Sequence, residues 1–256
     1  MLARRRCAAL GPQALPTRTT GQPHDNSART RCIVILAFMF LGHFAVGLAA
    51  RRAAPQVSLA AWFTAAQLVD LIWPVLLLSG LEHVRIAPGI TAFTPLDFYD
   101  YPITHSLVGG VVWAALFGGL WYLKRRRGWF HIQRAGPAAV LLAACVLSHW
   151  GLDVLSHRPD VPVLPHGPYV GLGLWNSVTA TLLVELTMFA AGLAIYVRSG
   201  GAGARRVSFW LLVAFLLVAY FGAAFGPPPP DVRTLAWSAL ALWLLIPWAW
   251  WAEAEW

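Results

Sequence analysis

Long apolar stretches, separated by short polar connections, dominate the chain from residue 32 onward. A helix crosses ~30 Å of hydrocarbon with about 20 mostly apolar residues, because each residue rises about 1.5 Å and every backbone polar group must be satisfied within the segment. Stretches of about this length are 32–50, 57–79, 103–123, 137–156, 174–197, 207–226 and 234–252. The pattern predicts an all-α polytopic membrane bundle of six or seven transmembrane helices, with the first stretch the doubtful one.

The composition excludes an ordinary soluble domain. Apolar residues make up 58% of the 256 residues and charged residues only 12%, whereas soluble domains carry about 25% charged residues. The three cysteines follow no metal-ligand spacing, so we expect neither a disulfide framework nor a cysteine-based zinc site. The remaining class is an integral membrane protein, in which each ionisable side chain inside a span requires an explanation.

The chain before the first apolar stretch has a different character. Residues 1–31 contain scattered arginine, proline, glycine and threonine without an apolar period, which predicts a basic, disordered tail ahead of a single transmembrane domain at 32–252. Translation from Met39 would remove this tail. The first segment would then be too short to span and would form a half-helix or interfacial helix that presents His43 near one membrane face.

Lysine and arginine are distributed unevenly among the connections. If the connections alternate between the two membrane faces, one face holds ten lysines and arginines. The other face holds three, or nine when residues 1–31 are counted. The ten are Arg51, Arg52, Lys124, Arg125, Arg126, Arg127, Arg134, Arg198, Arg205 and Arg206, and the three are Arg85, Arg158 and Arg233. The positive-inside rule places the ten in the cytoplasm, together with the C-terminus. We therefore interpret the net charge of +8 as a topology signal and a contact with anionic lipid, and expect no nucleic-acid partner.

The fourth predicted span carries three polar residues at helical spacing. His149, Asp153 and His157 follow one another at intervals of four residues, which places neighbours on one helix face. Imidazole and carboxylate are both good ligands for zinc and related divalent ions. All three cannot bind one ion on a straight helix, because eight residues rise about 12 Å. Either one histidine is a secondary partner, or Pro159 lets the helix end bend so that His157 turns back.

A second polar segment, residues 97–106, precedes the third predicted span. Pro102 is typical of the first turn of a helix, which would put His105 about one turn into that span, at the same membrane face as His157. Asp97 lies just upstream. Asp70 on the second span and His43 on the first could complete the cluster from neighbouring helices.

Short motifs around these residues resemble a known family. Thr104-His105-Ser106-Leu107, Ser148-His149 with Leu152-Asp153, and Gly42-His43-Phe44-Ala45 are similar to motifs of the bacterial inner-membrane metal-dependent hydrolases, over roughly residues 39–160. The resemblance implies a multi-pass protein of the bacterial cytoplasmic membrane with His43, His105, His149 and Asp153 as metal-site residues. One departure is that the acidic Pro-Asp pattern expected after the second helix is absent. This leaves the acidic ligand open, with Asp70 within the span and Glu82 just beyond it.

The leading functional hypothesis is a hydrolase with a polar cluster near the extracytoplasmic face. One or two divalent ions, with zinc expected, would activate water against an ester or phosphoester. His105, His149 and Asp153 would bind the metal, Asp70 or Asp97 would be the general base or an additional ligand, and His157 would accept a proton or support a ligand. Membrane lipid is the expected partner, and a lipid-linked or small-molecule compound the expected substrate.

Three other functions are compatible with the same residues. A carrier or ion-handling protein would use the histidines and aspartates to relay protons. Haem could be held between His43, His105 and His149 on different helices. A purely structural membrane protein would contain satisfied polar pairs only, and we interpret Glu185 in the fifth span as such a polar contact.

Overall fold

The computed structural model describes residues 41–127 and 135–254. The predicted tail at 1–31, the alternative start at Met39 and the beginning of the first apolar stretch lie outside these residues. Within them the chain is an all-α polytopic bundle, as predicted, with two short two-stranded sheets. The elements are α1 (Leu41–Ala50), α2 (Leu59–Ala66), α3 (Leu68–Ser79), β1 (His83–Ile86), β2 (Leu96–Asp100), α4 (Pro102–His105), α5 (Leu107–Arg127), α6 (Ala135–Ser156), β3 (Val161–Pro162), β4 (Tyr169–Val170), α7 (Val178–Arg198), α8 (Val207–Phe225), α9 (Val232–Leu240) and α10 (Leu245–Glu253).

Among the described helices, five segments are long and apolar enough to cross a membrane. Four are the helices α5, α6, α7 and α8, and the fifth runs through α9, a 3-10 turn and α10. The bent pair α2 and α3 would be a sixth. The described part of the first predicted span, α1, is only ten residues long and buries most of its side chains inside the bundle.

The second predicted span is interrupted. Instead of one helix over 57–79, the chain forms α2 and α3, which meet at Gln67 with a bend of 54°. The interruption releases the carbonyl of Ala66 from helical pairing, and this carbonyl accepts a hydrogen bond from His149 at 2.8 Å. The stretch predicted as one span is thus a bent pair of helices, and the break lies next to the carbonyl that pairs with α6. The bend also puts Asp70 in the first turn of α3 rather than in mid-span.

The third predicted span begins later than expected. The predicted helix start at Pro102 is confirmed, with Tyr101 at the N-cap, but this helix is only the four-residue α4. Ser106 then adopts an extended conformation, and its hydroxyl accepts a hydrogen bond from the backbone of Gly109 at 2.9 Å, which starts α5. His105 therefore precedes the span instead of lying one turn inside it.

A small aromatic core holds the connections at this end of the bundle. The antiparallel hairpin of β1 and β2 follows α3, and the connection after α6 contains the second pair of strands. The buried aromatic residues of this core are Trp73, Phe98, Tyr101 and Trp175. Because these side chains come from α3, β2 and the two connections, they fix the loops against the helices.

At the other end of the bundle, one carboxylate joins four chain segments. Glu253, at the end of α10, accepts hydrogen bonds from Arg51 at 2.5 Å, from the backbone of Leu59 at 2.5 Å and from the hydroxyl of Tyr196 at 2.9 Å. The end of α1, the start of α2, the end of α7 and the end of α10 thus meet. Arg51 is one of the ten basic residues assigned to a single side; the identity of that side stays a prediction.

Helices α1 and α7 pack with their backbones in close approach. A Cβ atom added at Gly192 of α7 would overlap the backbone of Ala45 in α1, including its carbonyl oxygen. At Gly119 of α5, by contrast, an added Cβ would have no heavy atom within 4 Å. Only glycine therefore fits at position 192, whereas position 119 has space for a larger residue.

We expect Gly192→Ala to destabilise the bundle, because α7 would have to move away from the helix that carries His43. Overpacking of this kind costs about 1–3 kcal/mol. Gly119→Ala is the matched control and should retain or slightly raise stability, since alanine favours helix. Thermal unfolding of both variants in detergent checks the prediction, and equal melting temperatures would contradict it.

Candidate metal centre

Five ionisable side chains from four helices converge inside the bundle. The residues are His43 of α1, Asp70 of α3, His105 of α4, and His149 and Asp153 of α6. All are buried except Asp70, whose side chain is 15% exposed. The cluster thus combines three imidazoles and two carboxylates with a single partly open edge at Asp70.

Helix α6 supplies two of these groups from one face. His149 Nε2 lies 3.5 Å from Asp153 Oδ2, as the four-residue spacing predicts. The remaining contacts cross between helices. His105 Nε2 lies 3.3 Å from Asp70 Oδ1, His149 Nε2 lies 3.7 Å from Asp70 Oδ2, and His43 Nε2 lies 3.4 Å from Asp153 Oδ1. The convergence therefore depends on how α1, α3, α4 and α6 pack.

Two sets of three residues within this cluster could hold a metal ion. One consists of His43, His149 and Asp153, the other of Asp70, His105 and His149, and within each set the ligand atoms lie within 4.8 Å of one another. His149 belongs to both. Its Nδ1 faces the carbonyl of Ala66, which can only accept a hydrogen bond, so Nδ1 carries the proton of the imidazole. The lone pair that can bind a metal is then on Nε2. Because one imidazole nitrogen binds one ion, the two sets are alternatives.

Access favours the set of Asp70, His105 and His149, because this set is partly exposed at Asp70, whereas the other set is fully buried. The distances suit both sets. Ligand atoms about 2.0–2.1 Å from a tetrahedral zinc lie about 3.4 Å apart, and Asp70 lies 3.3 and 3.7 Å from its two imidazoles, while Asp153 lies 3.4 and 3.5 Å from His43 and His149. Asp153 Oδ2 lies next to both Nε2 atoms, at 3.5 Å from His149 and 4.0 Å from His105.

His43 lies behind this set. Its ring packs against that of His149 with 3.7 Å between centroids, and it pairs with Asp153 on the side away from His105. The two oxygens of Asp153 thus face different partners: Oδ1 faces His43, and Oδ2 faces His105 and His149. Among the described residues, Oδ2 accepts no hydrogen bond.

His157 is placed beside the cluster and not in either set. Its Nδ1 donates to Asp160 Oδ1 at 3.0 Å, and its ring packs against Trp175 with 4.1 Å between centroids. Tyr101 lies between His157 and His105, with its hydroxyl near His157 Nδ1. Burial lowers the pKa of His157, and raises the pKa of Tyr101, which the charge of Asp160 also raises. Of the two geometries open from sequence, His157 as a neighbour of the ligands is the one observed.

Asp97, expected as a base or ligand, lies in an ion-pair network instead. Its position in β2 is opposite Arg85 of β1, which pairs with Oδ2 at 2.8 Å, and Arg158 pairs with Oδ1. The hairpin register determines this arrangement, because it turns the carboxylate toward the two arginines. The structure does not bring Asp97 into the cluster.

Two buried glutamates have clear structural partners. Glu185 of α7 accepts a hydrogen bond from the backbone of Gly42 at 2.7 Å, next to His43, and so ties the start of α1 to α7. Glu82 accepts hydrogen bonds from the backbone of Thr104 at 2.8 Å and from its hydroxyl at 2.6 Å. Burial raises the pKa of Glu82, although the charge of His105 and the two hydrogen bonds oppose this. Of the two acids left open from sequence, Asp70 enters the cluster and Glu82 reaches it through Thr104.

Comparison of the chain with protein-family models, with curated proteins and with solved structures finds no match.

We expect the protein to copurify with a divalent metal. His105→Ala and His149→Ala should each lose it, because each removes an imidazole ligand from the set with Asp70. His83→Ala is the matched control, since His83 forms an exposed pair with Asp100 at 2.7 Å on the hairpin. Elemental analysis of the purified proteins checks this. Equal metal content in all three variants, or none in the native protein, would contradict the ligand assignment.

Proposed function

We propose that this chain is a membrane-embedded, metal-dependent hydrolase that acts on an ester or phosphoester. One observation carries the proposal: three helices bring a carboxylate and two imidazoles into a set that could hold a metal ion and that is partly open at Asp70. A donor set of two nitrogens and one oxygen suits zinc, and three protein ligands leave a coordination position open, as in catalytic zinc sites.

The bound ion would supply the chemistry that side chains lack here, since a divalent metal can lower the pKa of water from 15.7 to about 7 and polarise an ester or phosphoryl oxygen. The protein would contribute the rest. Asp153 Oδ2 faces the same space as both Nε2 atoms and would accept the proton of the attacking water. His43, at 3.4 Å from Asp153 Oδ1, would keep that carboxylate oriented.

The surroundings of the centre support a substrate at the membrane surface. His149 and Asp153 lie within the last two turns of α6, so the centre is close to the end of that span. The connections at this end expose large apolar side chains, namely Leu81, Tyr99, Leu164, Tyr169 and Leu172. Such side chains suit the headgroup level of a bilayer. A lipid or lipid-linked ester could therefore reach the edge at Asp70 without leaving the membrane.

The distribution of basic residues supports a location in the bacterial cytoplasmic membrane with the centre toward the outside. Five of the basic residues, Lys124, Arg125, Arg126, Arg127 and Arg134, precede α6 in the chain, and His149 and Asp153 lie near the opposite end of that helix. If the basic end is cytoplasmic, the metal centre lies nearer the extracytoplasmic face.

Three aspartate variants separate the assigned roles. Asp70→Asn should lose both the metal and the activity, because it removes a ligand. Asp153→Asn should retain the metal and lower kcat by about 10²–10⁴-fold, the usual contribution of a general base. Asp97→Asn should retain both. The measurements are elemental analysis and hydrolysis of a p-nitrophenyl ester and of bis-p-nitrophenyl phosphate in mixed micelles.

Metal removal provides the companion test. A chelator should abolish hydrolysis, and added zinc should restore it. Loss of metal in Asp153→Asn would make that residue a ligand instead of the base. Proton flux in liposomes, with no hydrolysis of either probe by the metal-loaded protein, would replace the hydrolase with a carrier.

A further inference from the structure

A buried chain of hydrogen bonds leads from Glu82 to His105. The carboxylate of Glu82 is bound through Oε1 by the backbone N–H of Thr104 and through Oε2 by its hydroxyl. The same hydroxyl lies 2.6 Å from Nδ1 of His105. Glu82 is 1% exposed and Thr104 is fully buried, so water does not compete for these groups. At the far end the other nitrogen of the imidazole, Nε2, forms a hydrogen bond of 3.3 Å with Asp70 Oδ1, which as a carboxylate oxygen accepts.

The donors and acceptors in this chain fix the position of one proton. A carboxylate can only accept, so the hydroxyl of Thr104 must donate to Glu82 Oε2. A hydroxyl has a single proton to donate and must therefore accept from its other neighbour. That neighbour is His105 Nδ1, which consequently carries a proton. Nε2 donates to Asp70 and also faces Asp153, so it is the nitrogen that would release its proton to bind a metal ion.

We propose that Glu82 and Thr104 are positioning residues that hold a proton on Nδ1 of His105, so that Nε2 is the nitrogen that binds the metal. The inference rests on the proposed metal centre for its purpose, but the proton on Nδ1 is a property of the metal-free protein. A carboxylate that orients a ligating histidine through a hydrogen bond is a common device of metal sites. Here a threonine hydroxyl is inserted between the two.

Glu82→Gln tests the direction of the chain. The amide oxygen must take the place of Oε1, because the backbone N–H of Thr104 needs an acceptor there. The amide NH₂ then takes the place of Oε2 and donates to the hydroxyl of Thr104. This reverses the chain: the hydroxyl donates to His105 Nδ1, which then carries no proton, and the imidazole keeps only the proton on Nε2. The substitution keeps the size of the side chain and the bond to the backbone, so a merely structural role of Glu82 predicts no change.

The measurement is the ¹⁵N spectrum of histidine-labelled, metal-free protein in detergent, with the His105 signals assigned by their loss in His105→Gln. We expect a proton on Nδ1 in the native protein and in Thr104→Ser, and an unprotonated Nδ1 in Glu82→Gln. Zinc affinity, measured by competition with a chelating dye, should fall by about 10–100-fold in Glu82→Gln and in Thr104→Val. Thr104→Ser should retain native affinity, because it keeps the hydroxyl.

Glu185→Gln is the matched control, because Glu185 is a second buried glutamate that accepts a backbone hydrogen bond but has no link to His105. It should leave both readouts at native values. The proposal is overturned if native His105 has no proton on Nδ1, or if Glu82→Gln keeps the native spectrum. It is also overturned if Thr104→Ser behaves like Thr104→Val. Should the native protein fail to bind zinc while Glu82→Gln still removes the proton from His105 Nδ1, the hydrolase proposal fails and the assignment of that proton stands.

Discussion

The structure depends on the cost of placing charge inside an apolar bundle. An ionisable side chain at the centre of a membrane helix costs about 2.5–3.5 kcal/mol on insertion scales, and here five ionisable side chains lie together inside the bundle. They are stable only because each carboxylate faces imidazoles and each of His105 and His149 has a proton acceptor at its second nitrogen. These pairings therefore require one particular packing arrangement of α1, α3, α4 and α6.

The two helix interruptions meet that requirement. In a straight second span, the carbonyl of Ala66 would accept a backbone hydrogen bond within its own helix. A continuous helix through Ser106 would carry His105 into the bilayer. The break at Gln67 instead gives His149 its acceptor, and the break at Ser106 leaves Thr104 and His105 beside Glu82. Irregular backbone at membrane depth is tolerated where it is buried in protein, and here it serves the polar cluster.

Residue spacing and composition predicted those features that depend only on neighbouring residues in the chain. The fold class follows from stretch length and composition, and the pairing of His149 with Asp153 follows from helical spacing. The ion pairs of Asp97 could not be predicted, because they depend on the register of a hairpin with Arg85, and short polar strands show little periodicity. Glu82 was recognised only as an alternative acid. Its bond to Thr104 joins residues 22 positions apart through tertiary packing, for which the sequence contains no local signal.

Helix α2 connects the two polar regions of the molecule. Its first amide, at Leu59, donates to Glu253, and the carbonyl of its last residue, Ala66, accepts from His149. Eight residues at 1.5 Å each make it about 12 Å long. The length of this helix thus sets the distance between Glu253 at the basic end and His149 in the metal centre. One additional turn would lengthen that distance by about 5.4 Å, so the number of residues in α2 determines how far the metal centre lies from Glu253.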